Sequence, residues 1–408
     1  MQNKITIRRN NVKKLLSIIL VLVMSFAILA GCAPTGTKET PAPAAETAAP
    51  AGEEPAGTGE ETTTTTFGLK PFEERQTLRL GFFAGSPLSY PFLFADKEGF
   101  FDELNIDIEY QTFTNGPAMM EANADWDVAG CGLGGVLTGL AGYDVKMIGV
   151  SDYEENLALF ARKDSKLATD PTNPESWKGT KWLYPVGTTA QATLVAGLKT
   201  VGLGMEDIES VNMDVTSALT GFQGGEGDGL GVWNAIAFAA EDAGFVRISD
   251  AGKLGFVAPC GTLATNDALA NKRELVKVAY AVFYKTWEWC NESEENMQKA
   301  VSYYLENCLD EGIKCDESVA KRVMEWYRAP FLAKSIDIMT STSPDAAGLY
   351  TKRDLIQAEK DVLVGMDFFI SQGKYTAEQR TQMLDNQMID PSIATDVKAM
   401  FEEQGLTL

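Results

Sequence analysis

The sequence predicts an α/β protein of two lobes completed by a helical C-terminal region, and three observations carry that expectation. Residues 78–113 read as strand, loop, helix, strand. A second unit of the same kind begins at Lys181. About 330 residues follow a low-complexity N-terminal tract, too many for one small domain and suited to two lobes.

In the first unit Leu78, Leu80 and Phe82 make a short apolar strand. Pro91 suits a helix start, where a missing N–H costs nothing, and Gly99 suits its left-handed end. Ile106, Ile108 and Tyr110 alternate with Asp107, Glu109 and Gln111, the period of a second strand. Such a unit requires a right-handed crossover between parallel strands. It leaves a loop, residues 83–90, at the carboxyl edge of the sheet, where open α/β folds take small ligands.

The pattern continues. Asn115-Gly116-Pro117 opens a short helix, residues 127–131 form a strand, Gly132 to Gly135 a glycine loop, and residues 145–150 another strand. Residues 157–162 form a strand leaving the first lobe. Residues 181–186 begin the second, followed by the loop Gly187-Thr188-Thr189 and a helix that Gly202 stops. Strands at 210–213, 229–233 and 245–248 follow, and the chain returns at 255–259. From Asn266 onward apolar residues recur at helical spacing, with later helices at 319–327, 354–372 and 376–385.

The first 31 residues read as an export signal, with Lys4, Arg8, Arg9, Lys13 and Lys14 ahead of an apolar run at 15–29. That run is short for a membrane span. Leu29-Ala30-Gly31-Cys32 resembles the lipobox of bacterial lipoproteins, which implies cleavage before Cys32 and a lipid on its sulfur. Residues 32–77, rich in Pro, Ala, Glu, Thr and Gly, cannot bury enough apolar surface to fold, and the expectation is a disordered tether.

The chain carries 35 basic and 57 acidic residues, a net charge of −22. That balance argues against nucleic acid or an anionic membrane as partner. No histidine occurs, so neither a Ser-His-Asp nor a Cys-His site can be built, and the commonest zinc ligand is missing. No catalytic residue, metal or cofactor is expected. Gly130, Gly132 and Gly135 satisfy the outline G-x-G-x-x-G. The following helix is too short and the motif too late in the fold for a dinucleotide. The glycines read instead as letting backbone N–H groups approach a ligand. Of six cysteines, Cys308 and Cys315 flank a short turn and fit either a bridge or a reduced pair.

Taken in order, the segments 78–83 (LRLGFF), 97–101 (KEGFF), 115–117 (NGP), 127–132 (DVAGCG), 187–190 (GTTA) and 232–234 (VWN) resemble the substrate-binding proteins of ABC importers for nitrate, taurine and aliphatic sulfonates. That group shares its fold with thiamine-pyrimidine synthesis proteins. The resemblance implies a type II periplasmic-binding-protein fold, two α/β lobes hinged around a ligand cleft. The lobes would comprise residues 78–165 with 255–408, and 166–254. It further implies a monomer, lipid-anchored on the outer face of the bacterial cytoplasmic membrane, delivering a small solute to a permease and its ATPase.

Carried over motif by motif, the cleft would be lined by Ser86, Tyr90, Asn115, Gly116, Gly132 and Leu133 from the first lobe. The second would add Thr188, Thr189, Gln191, Trp233 and Asn234. Thr188 reads equally as a helix cap, Trp233 as core and Tyr90 as surface. Asp152, Glu154 and Glu155 read as a solvated acidic turn; were Asp152 or Glu155 to face the cleft, the solute would carry a cationic nitrogen. A sulfonate, taurine, nitrate or a zwitterion are the solutes implied. Cys131 and Cys260 both fall near the cleft, and whether they pair is left open by the sequence. A sensor or adhesion module, or a pyrimidine-synthase-like enzyme, remain alternatives on the same fold.

Overall fold

The computed structural model describes residues 65–83, 85–255 and 258–408. The export signal, the lipid site at Cys32 and the tether as far as residue 64 lie outside the described residues. Residues 65–77, expected to continue that tether, are packed. Leu69 is buried, Phe67 meets the Phe100 ring edge-on at 4.8 Å, and Arg75 pairs with Asp102 and Asp107 at 2.6 Å. Phe67, Leu69 and Phe72, three apolar side chains in a polar tract, pack on the core and anchor it.

The first sheet begins with β1 (Gln76–Phe82), whose alternate Leu78, Leu80 and Phe82 are buried. Helix α1 (Tyr90–Lys97) follows, and Gly99 at φ +82° turns the chain out of it. Strand β2 (Ile106–Thr112) then pairs parallel to β1. Helix α2 (Gly116–Glu121) leads to β3 (Val128–Cys131), buried throughout and parallel to β1 on its other side. Helix α3 (Leu133–Gly142) and β4 (Val145–Glu154) complete the lobe's first pass.

Strand β4 is ten residues long and carries Asp152 and Glu154 within it, so the acidic turn expected there does not form. Both are buried, and they lie on the opposite face from Val150: a register shift at Ser151 pairs Val150 with Gly261 but Asp152 with Cys260.

The chain then crosses into a second sheet. Strand β5 (Leu157–Ala161), which the sequence pattern assigned to the first lobe, is paired antiparallel on both sides inside the second sheet. Five consecutive buried residues need cover on both faces, and only an interior position supplies it. Short helices α4 (Lys166–Thr169) and α5 (Pro174–Trp177) precede β6 (Lys181–Tyr184), α6 (Thr189–Thr200) and β7 (Glu209–Asn212). Then come α7 (Val215–Gln223), β8 (Gly229–Trp233), α8 (Asn234–Asp242) and β9 (Val246–Asp250). Trp177 and Trp182 stack at 5.2 Å in a small separate core of this lobe.

Strand β10 (Ala258–Thr265) returns the chain to the first sheet, between β3 and β4 and antiparallel to both. The two sheets therefore have matching orders, β2-β1-β3-β10-β4 and β7-β6-β8-β5-β9. In each, the fourth strand is the one that arrives from the other lobe. This exchange ties the lobes by two crossing segments and leaves the carboxyl edges of both sheets facing one crevice.

Helices α9 (Asn266–Asn271), α10 (Arg273–Glu292) and α11 (Glu294–Asp310) cover the first sheet. Phe283 meets Phe92 of α1 at 4.8 Å, and the Tyr284 hydroxyl donates to the Val150 carbonyl at 2.8 Å. Next come α12 (Glu317–Trp326), α13 (Leu332–Thr340), the short strands β11 (Thr342–Ser343) and β12 (Leu355–Ile356), α14 (Gln357–Ser371), α15 (Ala377–Asp385) and α16 (Ser392–Gln404). Two of these helices also touch the second lobe. Arg322 of α12 reaches Asp242 at 2.5 Å, and Ser371 at the end of α14 accepts from Lys199 of α6 at 3.1 Å. No described helix is long and apolar enough to cross a membrane.

Candidate functional site

The crevice between the sheets is nearly shut, with a cavity of about 20 Å³, room for about one water. Its wall is made where strands stop and helices start. Phe83, Ser86 and Leu88 come from the loop after β1, and Gly116 and Pro117 from the start of α2. Gly132, Gly134 and Gly135 lie at the start of α3. Thr188 and Thr189 open α6, Trp233 precedes α8, and Glu154 ends β4.

Six of the residues expected at a cleft are there: Ser86, Gly116, Gly132, Thr188, Thr189 and Trp233. The other six stand behind or beside it, each for a visible reason. Tyr90 is fully buried; its hydroxyl accepts from the Gly85 amide at 3.1 Å and donates to Asn307 at 2.7 Å, bracing the loop from the rear. Asn115 caps α2 by accepting from the Ala118 amide at 3.0 Å. Leu133 points into the core against Gly365 of α14. Asp152 accepts from the Arg328 amide at 2.7 Å. Gln191 accepts from the Gly187 amide at 2.8 Å and so holds the turn before α6. Asn234, at φ +45°, donates to Glu154 at 3.0 Å.

Thr188 does not cap its helix with its side chain. Its hydroxyl donates backward to the Pro185 carbonyl at 2.7 Å. Gly132, Thr188 and Trp233 occupy the cap positions of α3, α6 and α8, and none supplies a side-chain hydrogen bond to the first turn. Three helices thus begin at the crevice with first-turn N–H groups that no cap residue satisfies, the arrangement that favours an electron-rich group on a ligand.

The glycines divide by role. A Cβ on Gly130 would sit 2.1 Å from the Leu88 carbonyl oxygen, and one on Gly135 would sit 2.4 Å from the Cys131 sulfur. Both are packing positions inside the first lobe. Gly134 differs: a Cβ there would lie 2.7 Å from the Gly187 carbonyl oxygen and 2.8 Å from Thr188 Cα, across the crevice on the other lobe.

Glu154 is what the sequence pattern missed. It is the one charged side chain among the described lining residues. One carboxylate oxygen takes the Asn234 amide; the other faces the Cys260 thiol at 3.7 Å and the space over Gly132. Burial, and then the neighbouring charge of Asp152, pushes its carboxyl up to about 8. Asp152 itself is pushed up to about 7 by burial. Spacing alone carried no signal for it: the register shift at Ser151 reverses the alternation after Val150, and the face that Asp152 and Glu154 take is set by their pairing with β10. Cys131 and Cys260, whose pairing the sequence left open, are buried free thiols, and Cys308 and Cys315 are free as well.

Comparisons with known proteins agree on this architecture. The model of a family described as NMT1/THI5 like matches residues 86–296, from Ser86 through the whole of α10. A protein of Brucella abortus (strain 2308), named as a binding protein, is 21% identical over 217 residues, 52% of this chain and 66% of its own length. The match therefore spans just under two thirds of that relative. The alkanesulfonate-binding protein SsuA from Xanthomonas axonopodis pv. citri, solved bound to MOPS, superposes with a TM-score of 0.56 at 19% identity, covering 74% of this chain and 95% of SsuA. The periplasmic nitrate-binding protein NrtA from Synechocystis PCC 6803 gives 0.55 at 13% identity, with 81% and 91% covered. At these identities the likeness is one of fold.

Proposed function

We propose that this chain, which belongs to the NMT1/THI5-like family, is the extracytoplasmic solute-binding component of an ABC importer: it captures a small solute by closing two lobes on it and delivers it to a permease. The observation that carries this reading is the crevice itself. Two sheets that exchange strands present three uncapped helix starts to one small space, with an aromatic wall at Trp233 and hydroxyls at Ser86 and Thr189. That arrangement binds and orients; it does not require a reaction.

Solved neighbours that bind an alkanesulfonate and nitrate support a small polar solute, either a sulfonate, taurine or nitrate-like anion or a zwitterion. A lipid at Cys32 would tether the module, as a monomer, to the outer face of the membrane beside its permease. Asp152 and Gln191, proposed from the sequence to line the cleft, serve in this reading to position the residues that do.

A thermal-shift screen over taurine, alkanesulfonates, nitrate, amines, pyrimidines and flavins tests the proposal. A solute at a hundredfold over its Kd should add about 2.7 kcal/mol of stability. Trp233→Ala should then weaken that solute at least tenfold, because the indole supplies a large part of the wall. Unchanged affinity would place the binding site elsewhere, and turnover of the bound compound would favour an enzyme.

A further inference from the structure

Resting on that reading, we infer that the solute carries a protonated nitrogen, an amine, amidine or basic heterocycle, and seats it between Glu154 and Ser86. A bare oxyanion is met by this wall only when Glu154 is protonated. Two independent observations point the same way. Glu154 is a buried carboxylic acid at the end of β4, with one oxygen satisfied by Asn234 of α8 and the other left to the crevice beside a weak thiol donor. The Ser86 hydroxyl, in a side chain only 1% exposed, makes no hydrogen bond among the described residues. An acid and an unpartnered hydroxyl facing one space are both costly unless a ligand completes them.

The groups around Glu154 leave the positive charge to the ligand. On its own strand stands Asp152; from α8 comes Asn234; from β10 comes Cys260; from β3, Cys131. Two basic residues beside the crevice have their side chains engaged elsewhere. Arg328 offers Asp152 only its backbone amide, while its guanidinium binds the carbonyls of Glu325 and Tyr327. Lys374 is held by the Gly187 carbonyl at 3.2 Å. A bound cation would let Glu154 ionise inside the closed crevice, whereas a nitrate or simple sulfonate would need it protonated, as a hydrogen-bond donor. The uncapped helix starts of α3 and α6 remain for an electron-rich end of the same molecule, so a zwitterion uses both.

The test is a set of matched pairs that differ by a basic nitrogen: taurine against ethanesulfonate, 4-aminopyrimidine against pyrimidine, acetamidine against acetamide. Binding to the full mature chain is measured by calorimetry at pH 8. The nitrogen-bearing member of at least one pair should bind tenfold or more tightly than its partner. Glu154→Gln, nearly isosteric, should erase that preference while its melting temperature shows it folded. Ser86→Ala should weaken the same compound several-fold. Equal or tighter binding of the members that lack the basic nitrogen, or a preference that survives Glu154→Gln, overturns this inference and leaves solute binding intact. If neither these compounds nor any in the wider screen binds, both fall together.

Discussion

Gly134→Ala should abolish solute binding, weakening it by more than a hundredfold, while the melting temperature of the solute-free protein stays within a few degrees of the parent. The added Cβ would meet the Gly187 carbonyl oxygen at 2.7 Å and the Thr188 backbone at 2.8 and 2.9 Å. Those atoms belong to the second lobe and are fixed from two sides, by Gln191 on the Gly187 amide and Lys374 on its carbonyl. Backbone cannot yield as the end of a long side chain can. Separating the lobes by a small hinge rotation at the two crossings removes the overlap without disturbing either sheet. The variant therefore keeps its fold and loses the closed form. Gly130→Ala provides the contrast, because its overlap with Leu88 and Ser89 lies inside one lobe and no hinge relieves it. There the expected effect is a loss of about 1–3 kcal/mol of stability, the usual cost of overpacking. Calorimetric titration with the solute found by screening, alongside thermal unfolding, separates the two. Wild-type affinity in Gly134→Ala would mean that α3 does not touch the second lobe when solute is bound.

What the sequence made legible was set by periodicity and by punctuation. Alternation at Leu78, Leu80 and Phe82 and the glycine stop at Gly99 placed the first βαβ unit to within a residue or two. Helix α16 carried an equally plain signal in Ile393, Ala394, Val397, Met400 and Phe401, behind Asp390 and Pro391, though no helix was expected there. The site was half legible, and the division is physical. Gly116, Gly132, Thr188, Thr189 and Trp233 stand where a strand ends and a helix begins, which sequence pattern locates. Tyr90, Asn115 and Gln191 stand in the same loops but turn their side chains onto neighbouring backbone, a choice that depends on partners distant in the fold or on local turn geometry. Glu154 was misread because acids after an apolar strand ordinarily mean solvent. Here β10, arriving from more than a hundred residues away, pairs with β4 through Glu154 and keeps it in the sheet.

The same two acids should dominate the pH dependence of folding. In the folded chain Asp152 is held up to about 7 and Glu154 to about 8, against ordinary carboxyls when unfolded. Between roughly pH 4.5 and pH 7 the unfolded chain thus binds fewer protons than the folded one, and stability must fall as pH rises, by about 1.4 kcal/mol per unit for each group. The fall slows above pH 7 and ends above pH 8. Asp127 works in the other direction. Burial would raise its carboxyl, but Arg79 at 2.6 Å and Lys272 at 2.7 Å outweigh that and hold it low, so its contribution is complete above the ordinary carboxylate range and is lost in acid. Asp390, buried but bonded to Ser392 and Lys146, behaves alike. Thermal unfolding measured from pH 4 to pH 9 should therefore peak near about pH 5, and Glu154→Gln should flatten the alkaline limb between pH 5 and pH 8. A limb of unchanged steepness in that variant would show Glu154 hydrated in the free protein, with the lobes apart. A solute that brings a cation to Glu154 cancels the cost of ionising it, so its stabilising effect should grow across that interval; a simple anion's should shrink.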